Sequence, residues 1–216
     1  MEDSIVTLFK NKILDNDKMT TKQKAILDAS INLFAEKGFA NTSTSEISKL
    51  SGAAEGTIFK HFGSKENLLI ATIIPFLIDD IFPEVAKQFS KTALEIEHTD
   101  LKSFFKIIIS DRINFLNENH KIGKIFINEI LYSEDIRNKL ITLIPSEIKV
   151  NFYKVLDNFK EKGLLVNWPN EVIIRFIMTN IASYGISKYT LFPNKPWDDE
   201  KEIDYIATLL SKGLSK

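Results

Sequence analysis

Residues 43–69, read as STSEISKLSGAAEGTIFKHFGSKENLL, constrain this chain more than any other stretch. Ser43 and Glu46 stand three apart, the spacing of a capping box. The Ser43 hydroxyl accepts the amide of the third helical residue, and the Glu46 carboxylate accepts the Ser43 amide. Ile47 and Leu50 then supply one turn of buried face. Ser51-Gly52-Ala53 is a turn of small residues, which lets two helices cross closely and steeply. Ile58 and Phe62 restore the apolar stripe at i, i+4, and a further helix starts just after Gly63. Two short helices across a glycine turn are the layout of a helix-turn-helix, whose second helix fits a DNA major groove.

Phe59 does not suit a purely structural reading. It neighbours the inward Ile58, so on a helix it points about 100° away from the buried face. Thr57, Phe59, Lys60 and His61 therefore crowd the outward side, with Gly56 before them. Glycine inside a helix costs up to about 1 kcal/mol relative to alanine, and it is reasonable where another backbone must approach. The competing reading is a helical corner packed on another domain, with Phe59 as core.

From Lys24 to Leu69 the chain resembles the DNA-binding domain of the tetracycline-repressor (TetR) family of bacterial transcription regulators. The matching residues are Ile26-Leu27-Asp28-Ala29, Leu33-Phe34-Ala35-Glu36-Lys37-Gly38-Phe39, Thr44 and Glu46-Ile47. They continue through Ser51-Gly52, Gly56-Thr57-Ile58-Phe59, His61-Phe62 and Lys65-Glu66-Asn67-Leu68. The resemblance implies an all-α fold: an N-terminal three-helix DNA-binding domain at 20–68, after an extension at 1–19, and a helical ligand-binding and dimerisation bundle at 69–216. It implies a DNA-binding regulator, a repressor, that holds a near-palindromic double-stranded operator as a homodimer paired through 170–190 and 199–213. By the same likeness Thr44, Thr57, Phe59, His61 and Lys65 position the domain on phosphates, Ala54, Glu55, Gly56 and Lys60 lie where bases are read, and Ser43 is a further DNA-binding residue. Two departures stand out. Ala54 replaces the usual serine at the start of the recognition helix, a cap worth about 1 kcal/mol, for which Ser51 is a partial substitute. Phe59 replaces the usual tyrosine and lacks its phosphate-directed hydroxyl.

Composition excludes several alternatives. The chain of 216 residues holds no cysteine, so disulfides, thiolate catalysis and cysteine zinc sites are unavailable. His61, His98 and His120 lie far apart, with no metal-binding spacing, phosphate loop or nucleophile elbow. The sequence therefore points to no catalytic residue, metal or cofactor. No run is apolar enough for a membrane span and no signal-peptide layout is present, so the expectation is the cytoplasm. Residues 1–68 carry nine Lys, no Arg and nine acids, a sum of zero. A basic domain is the usual footprint of DNA binding. Here phosphate contact must come from local clusters such as Lys60, His61 and Lys65, with Lys22 and Lys24 on another side.

The periodicity reads as helical throughout: 21–37, 44–50, 54–61, a helix from Ser64 bent or broken around Pro75 and Pro83, 101–118, 122–131, 134–143, 146–162, 170–190 and 199–213. Residues 171–190 are apolar nearly all round, which requires burial on several sides. Phe104, Ile108, Phe115, Phe126, Phe152, Phe176 and Tyr184 are candidates to line an apolar cavity for a small hydrophobic effector. Asp111 and Glu129 continue apolar stripes. Carboxylates there demand partners, either ion pairs (Arg112, Arg175, Lys124) or a lipophilic cation as ligand. A helical adaptor or architectural DNA-binding protein without an effector is the alternative function. In the N-terminal extension Ile5, Leu8, Phe9 and Ile13 fall at helical spacing, which fits either a frayed tail or a docked helix.

Overall fold

The computed structural model describes residues 4–74, 77–95, 98, 100–132, 134, 138 and 146–216. Ten α-helices are named here: α1 (Ile5–Leu14), α2 (Thr21–Lys37), α3 (Thr44–Ser51), α4 (Glu55–Phe62), α5 (Lys65–Asn67), α6 (Phe82–Phe89), α7 (Leu101–Tyr132), α8 (Ser146–Glu161), α9 (Asn170–Ile186) and α10 (Asp199–Leu214). Wider π-helical turns extend α5 (Leu68–Ile73), flank α6 (Leu77–Ile81 and Ser90–Leu94) and follow α9 (Ser187–Leu191). Among the described residues there is no strand. One isolated antiparallel bridge joins Leu165 to Ser215. The chain is all-α. It divides into two compact units, residues 1–85 with 119–143 and residues 86–118 with 144–216.

The first unit begins with a docked helix. Ser4 caps α1 by accepting the Thr7 amide. Ile5, Phe9 and Ile13, four apart on one face, are all buried, packed against α2 and the turn Leu77–Ile81. The Ile5 amide donates to Oδ1 of the buried Asn119 at 2.7 Å. At the other end, Lys24 Nζ donates to the Leu14 carbonyl at 2.6 Å. The docked-helix reading of the extension therefore holds. Thr20 and Gln23 form both halves of a capping box that starts α2, and Gly38, at φ 84°, ends it.

Two expectations about helix limits change. Residues 101–132 form one helix rather than two. The polar run around Asn117–Lys121 reads as a break, but Asn119 points inward to satisfy the α1 amide, so the helix passes straight through. Pro83 does not break its helix: the wider π turn at Leu77–Ile81 runs directly into α6, and the residue without an amide stands at that junction. Pro75 and the expected helix at 134–143 lie outside the described residues, apart from 134 and 138.

The second unit is built around Phe104, Phe105, Ile108 and Ile113 of α7, Leu156 and Phe159 of α8, Ile173, Ile177 and Ile181 of α9, and Ile203, Ala207 and Leu210 of α10. Gly185 lets α9 lie close to α7: a Cβ there would sit 3.2 Å from Leu116 Cδ1. Beside this contact is a polar cluster. Asp199 accepts from Lys188 Nζ at 2.6 Å, from Asn117 Nδ2 at 2.7 Å and from the Tyr184 hydroxyl. Burial opposes the charge on Asp199, but those donors outweigh it and hold its carboxyl below the usual range. Burial and the neighbouring Asp199 push the Tyr184 hydroxyl well up, so it stays a donor.

The docking of α1 predicts its own cost of removal. Phe9→Ala should destabilise the protein by about 3–5 kcal/mol, the range for an emptied aromatic site. Asn119→Leu, which strands the Ile5 amide, should cost about 1–3 kcal/mol. Urea unfolding monitored by circular dichroism measures both. Midpoints unchanged from the wild type would reduce α1 to a surface appendage.

Candidate nucleic-acid interface

Helices α2, α3 and α4 meet on Phe34, Ile47 and Ile58, all fully buried. Ser43 and Glu46 make both hydrogen bonds of the capping box foreseen for α3. Gly52, at φ 66°, ends that helix in the left-handed region that favours glycine. Leu50 differs from its expected place: it is exposed, and Ile47 is the buried residue of this short helix.

Polar bonds fix the turn and both helix starts. Ser48 Oγ donates to the Ala53 carbonyl at 2.7 Å, while Ser51 Oγ accepts the Ala53 amide at 3.3 Å. Ser51 thus ties the turn and does not cap α4, whose N-cap, Ala54, makes no side-chain hydrogen bond. The Thr44 hydroxyl donates to the Glu55 carboxylate, which joins the start of α3 to the start of α4. Lys37 Nζ reaches Glu46 Oε1 at 2.6 Å. That hydrogen bond, followed by those from the Ser43 amide and hydroxyl, lowers the Glu46 carboxyl to about 2.

Lys65 has a role that the sequence did not disclose. Its ammonium donates to the carbonyls of Phe39 at 3.0 Å and Thr42 at 2.8 Å. It also lies 4.3 Å from the centre of the Phe39 ring, which itself meets Phe34 edge-on at 5.2 Å. The loop between α2 and α3 is thereby pinned to the start of α5.

The outward face of α4 carries Glu55, Gly56, Phe59, Lys60 and His61, all exposed, after the exposed Ala54. Phe59 is 48% exposed although it adjoins the fully buried Ile58. Thr57, Thr44 and Lys65 are half-buried, and Ser43 is exposed. All ten expected DNA-facing residues lie in the three-helix unit or at the start of α5.

The family model described as bacterial regulatory proteins, tetR family, matches residues 26–72, the segment that holds this face. Those residues form a DNA-binding domain of that family. The chain is a DNA-binding transcriptional regulator. It is 27% identical over 146 residues to the fatty acid metabolism regulator protein of Bacillus subtilis, covering 66% of this chain and 68% of that protein. With the uncharacterized HTH-type transcriptional regulator YvkB of Bacillus subtilis it shares 26% identity over 200 residues, 91% of this chain and 99% of the other. Among solved structures, the transcriptional regulator FadR from Bacillus subtilis in complex with stearoyl-CoA is similar in fold. Its TM-score is 0.59 at 21% identity, covering 88% of this chain and 98% of that one.

The second unit of the regulator gathers some of the expected effector-binding residues and separates others. Phe104, Ile108, Phe152 and Tyr184 are buried in one core. Phe104 packs on Phe152 at 6.2 Å and on Phe159 at 5.3 Å. His98, not foreseen, meets Phe104 edge-on at 4.8 Å, and burial holds its pKa below the ordinary value. Phe176 lies elsewhere: it is 42% exposed and stacks on Trp168 at 6.0 Å. The side chains of Phe126 and Glu129 lie outside the described residues.

Of the two partners left open for Asp111, the ion pair with Arg112 is the one present. Arg112, the next residue, donates Nε to Asp111 Oδ2 at 2.6 Å, and the Thr92 hydroxyl donates to Oδ1 at 3.2 Å. The guanidinium lies 4.3 Å from the Phe89 ring centre and 4.9 Å from that of Phe115. A cation already neutralises this carboxylate, so Asp111 gives no reason to expect a cationic ligand. Among the described residues no group of His, Asp and Glu side chains has metal-binding geometry, and no helix is long and apolar enough to cross a membrane.

Two outcomes follow for the DNA-binding unit. Lys65→Ala should lower stability by about 1–2 kcal/mol, because charge-assisted hydrogen bonds to two carbonyls are lost. Lys60→Ala should leave stability within about 0.5 kcal/mol yet weaken DNA binding. Thermal melts of the two variants side by side separate these roles, and equal melting would remove the pinning role of Lys65. The second outcome concerns acid. Glu46 has a folded-state pKa depressed from 4.5 to about 2. Its stabilising contribution is therefore complete above pH 4.5 and is lost as pH falls towards 2. Glu46→Gln should flatten the stability-versus-pH curve across that window, and an unchanged slope would show that another carboxylate governs it.

Proposed function

We propose that the regulator is a homodimeric repressor released from its operator by a small hydrophobic effector. Residues 20–68 hold double-stranded operator DNA, and residues 69–216 bind the effector and pair the two chains. The observation that carries the DNA half is the outward face of α4, where Phe59, Lys60 and His61 are exposed on a helix anchored by Ile58. As the family resemblance implies, Thr44, Thr57, His61 and the remaining ammonium donor of Lys65 meet phosphates, and the backbone amides at the start of α5 add to them. The site of action is the cytoplasm.

Pairing is supported by a second face. Phe176, Met178 and Ile186 of α9 and Tyr205 and Leu209 of α10 are exposed apolar residues. The small Ala182 and Ser183 stand on the same side of α9 and permit close approach of a second chain. A monomer would leave these side chains in water. Gly185 serves a different contact, the one with Leu116, so substitution there does not test pairing.

For the effector, the pairing with Arg112 takes Asp111 out of the case for a lipophilic cation. The relative named as a fatty acid metabolism regulator favours a fatty-acyl ligand instead, with its chain among the aromatic residues around Phe104 and Phe152. The alternative, a DNA-binding adaptor with no effector, predicts binding that no small molecule alters.

One set of measurements tests this reading. Full-length protein should sediment as a dimer at micromolar concentration, and Leu209→Glu should give monomer with intact helical circular dichroism. The wild type should select an inverted repeat from random duplex DNA, and palmitoyl-CoA should release that duplex while tetraphenylphosphonium does not. A stable wild-type monomer, or binding indifferent to palmitoyl-CoA, would contradict the pairing or the effector respectively.

A further inference from the structure

The reading face has an unusual chemistry for a surface that meets DNA. All three arginines of the chain, Arg112, Arg137 and Arg175, lie beyond the three-helix domain. The guanidinium form of the commonest specific contact in the major groove, a bidentate donor on guanine O6 and N7, is therefore absent, and only a lysine can make it. Of the acids, Glu55 could accept from cytosine N4, but its carboxylate is engaged by the Thr44 hydroxyl. Guanine O6 and N7 are left to the ammonium of Lys60, a single flexible donor in place of a guanidinium fork.

What the face offers instead is apolar. Phe59 presents its ring to solvent, Ala54 presents a methyl group, and Gly56 has nothing within 4 Å of the position a Cβ would take. Together they leave a shallow apolar surface, with Lys60 as the exposed ammonium beside it. The one base edge in the major groove that presents a hydrocarbon group is thymine, through its 5-methyl, and alanine and phenylalanine are residues that suit it. A phenylalanine without a hydroxyl has nothing to give a phosphate oxygen, but it can remove a thymine methyl from water.

We propose that the recognition helix reads thymine methyl groups, with Phe59 and Ala54 as the specificity-determining residues, so that the operator half-sites are rich in A·T pairs. The inference rests on the regulator reading given above and adds the chemical class of DNA that the same face prefers. It assigns Phe59 a base contact in place of the phosphate contact that its tyrosine counterpart implies.

The test uses the full-length protein and synthetic duplexes, which removes any bias from genome composition. Selection from a random library should give half-sites dominated by A·T pairs. Replacing each selected thymine by deoxyuridine removes one methyl group and keeps every hydrogen-bonding group. At the one or two positions under Phe59 and Ala54 this should weaken wild-type binding about three- to fivefold, the transfer value of a methyl group. Phe59→Ala should bind the thymine duplex more weakly and lose its sensitivity to deoxyuridine at one of those positions, while Phe59→Tyr should not tighten binding to all sequences alike. A G·C-dominated consensus, wild-type indifference to every deoxyuridine, or uniform tightening by Phe59→Tyr would each overturn the proposal and leave the regulator reading intact. Failure to enrich any sequence would instead overturn the regulator reading, and this one with it.

Discussion

The ammonium of Lys65 is the contact on which the DNA-binding unit turns. Three short helices share a small core, and the six-residue loop between α2 and α3 decides the angle between them. That loop begins at Gly38 and carries two carbonyls, of Phe39 and Thr42, that a side chain at the start of α5 satisfies. Thr42 is itself buried and donates to the Gly38 carbonyl at 2.9 Å. With the loop closed, α3 and its Ser43–Glu46 cap have a fixed place, and the Thr44–Glu55 bond passes that order on to α4. A lysine that a contact map of DNA would count as a phosphate ligand thus first holds the reading surface in shape. Two carbonyls occupy two of its three donors, and the third can still meet a phosphate.

Much of this was legible in the sequence because it is local. Capping boxes, glycine turns and i, i+4 stripes join residues a few positions apart, and Ser43, Glu46, Gly52 and Ile58 behave as their spacing requires. What stayed hidden depends on long-range partners. Asn119 read as part of a polar gap because nothing near it in sequence needs an acceptor; its donor is Ile5, 114 residues away. The Asp199 cluster draws on three separate segments: Asn117 of α7, Tyr184 and Lys188 at and just after the end of α9, and Asp199 at the start of α10. Asp111 was open to two readings, an ion pair or a cationic ligand. Its partner Arg112 was in view, but adjacent helix positions point in different directions, and only the bend of the guanidinium towards Oδ2 makes the pair. Phe176 and Phe104 look alike as aromatic residues on apolar helices, and only packing separates the one at the surface from the one in the core.

The neutral charge of the DNA-binding region is also less contrary than its sum implies. Glu46 is masked by Lys37, and Glu55 is held on Thr44, so two acids nearest the reading face are engaged within the domain. Lys60 and His61 remain outward. Electrostatic attraction to DNA depends on which charges face the duplex, and a balanced total can hide a favourable distribution.

Helix α7 has a consequence for how the chain comes apart. Its 32 residues span about 48 Å at the usual rise. Its early turns bury Phe104, Ile108 and Ile113 in one core, while its later turns bury Asn119 and Ile122 in the other. The ladder of backbone hydrogen bonds is continuous over those 32 residues, so an amide near Asn119 exchanges only when turns on both sides of it open. The slowest amides of the helix should therefore cluster in its middle.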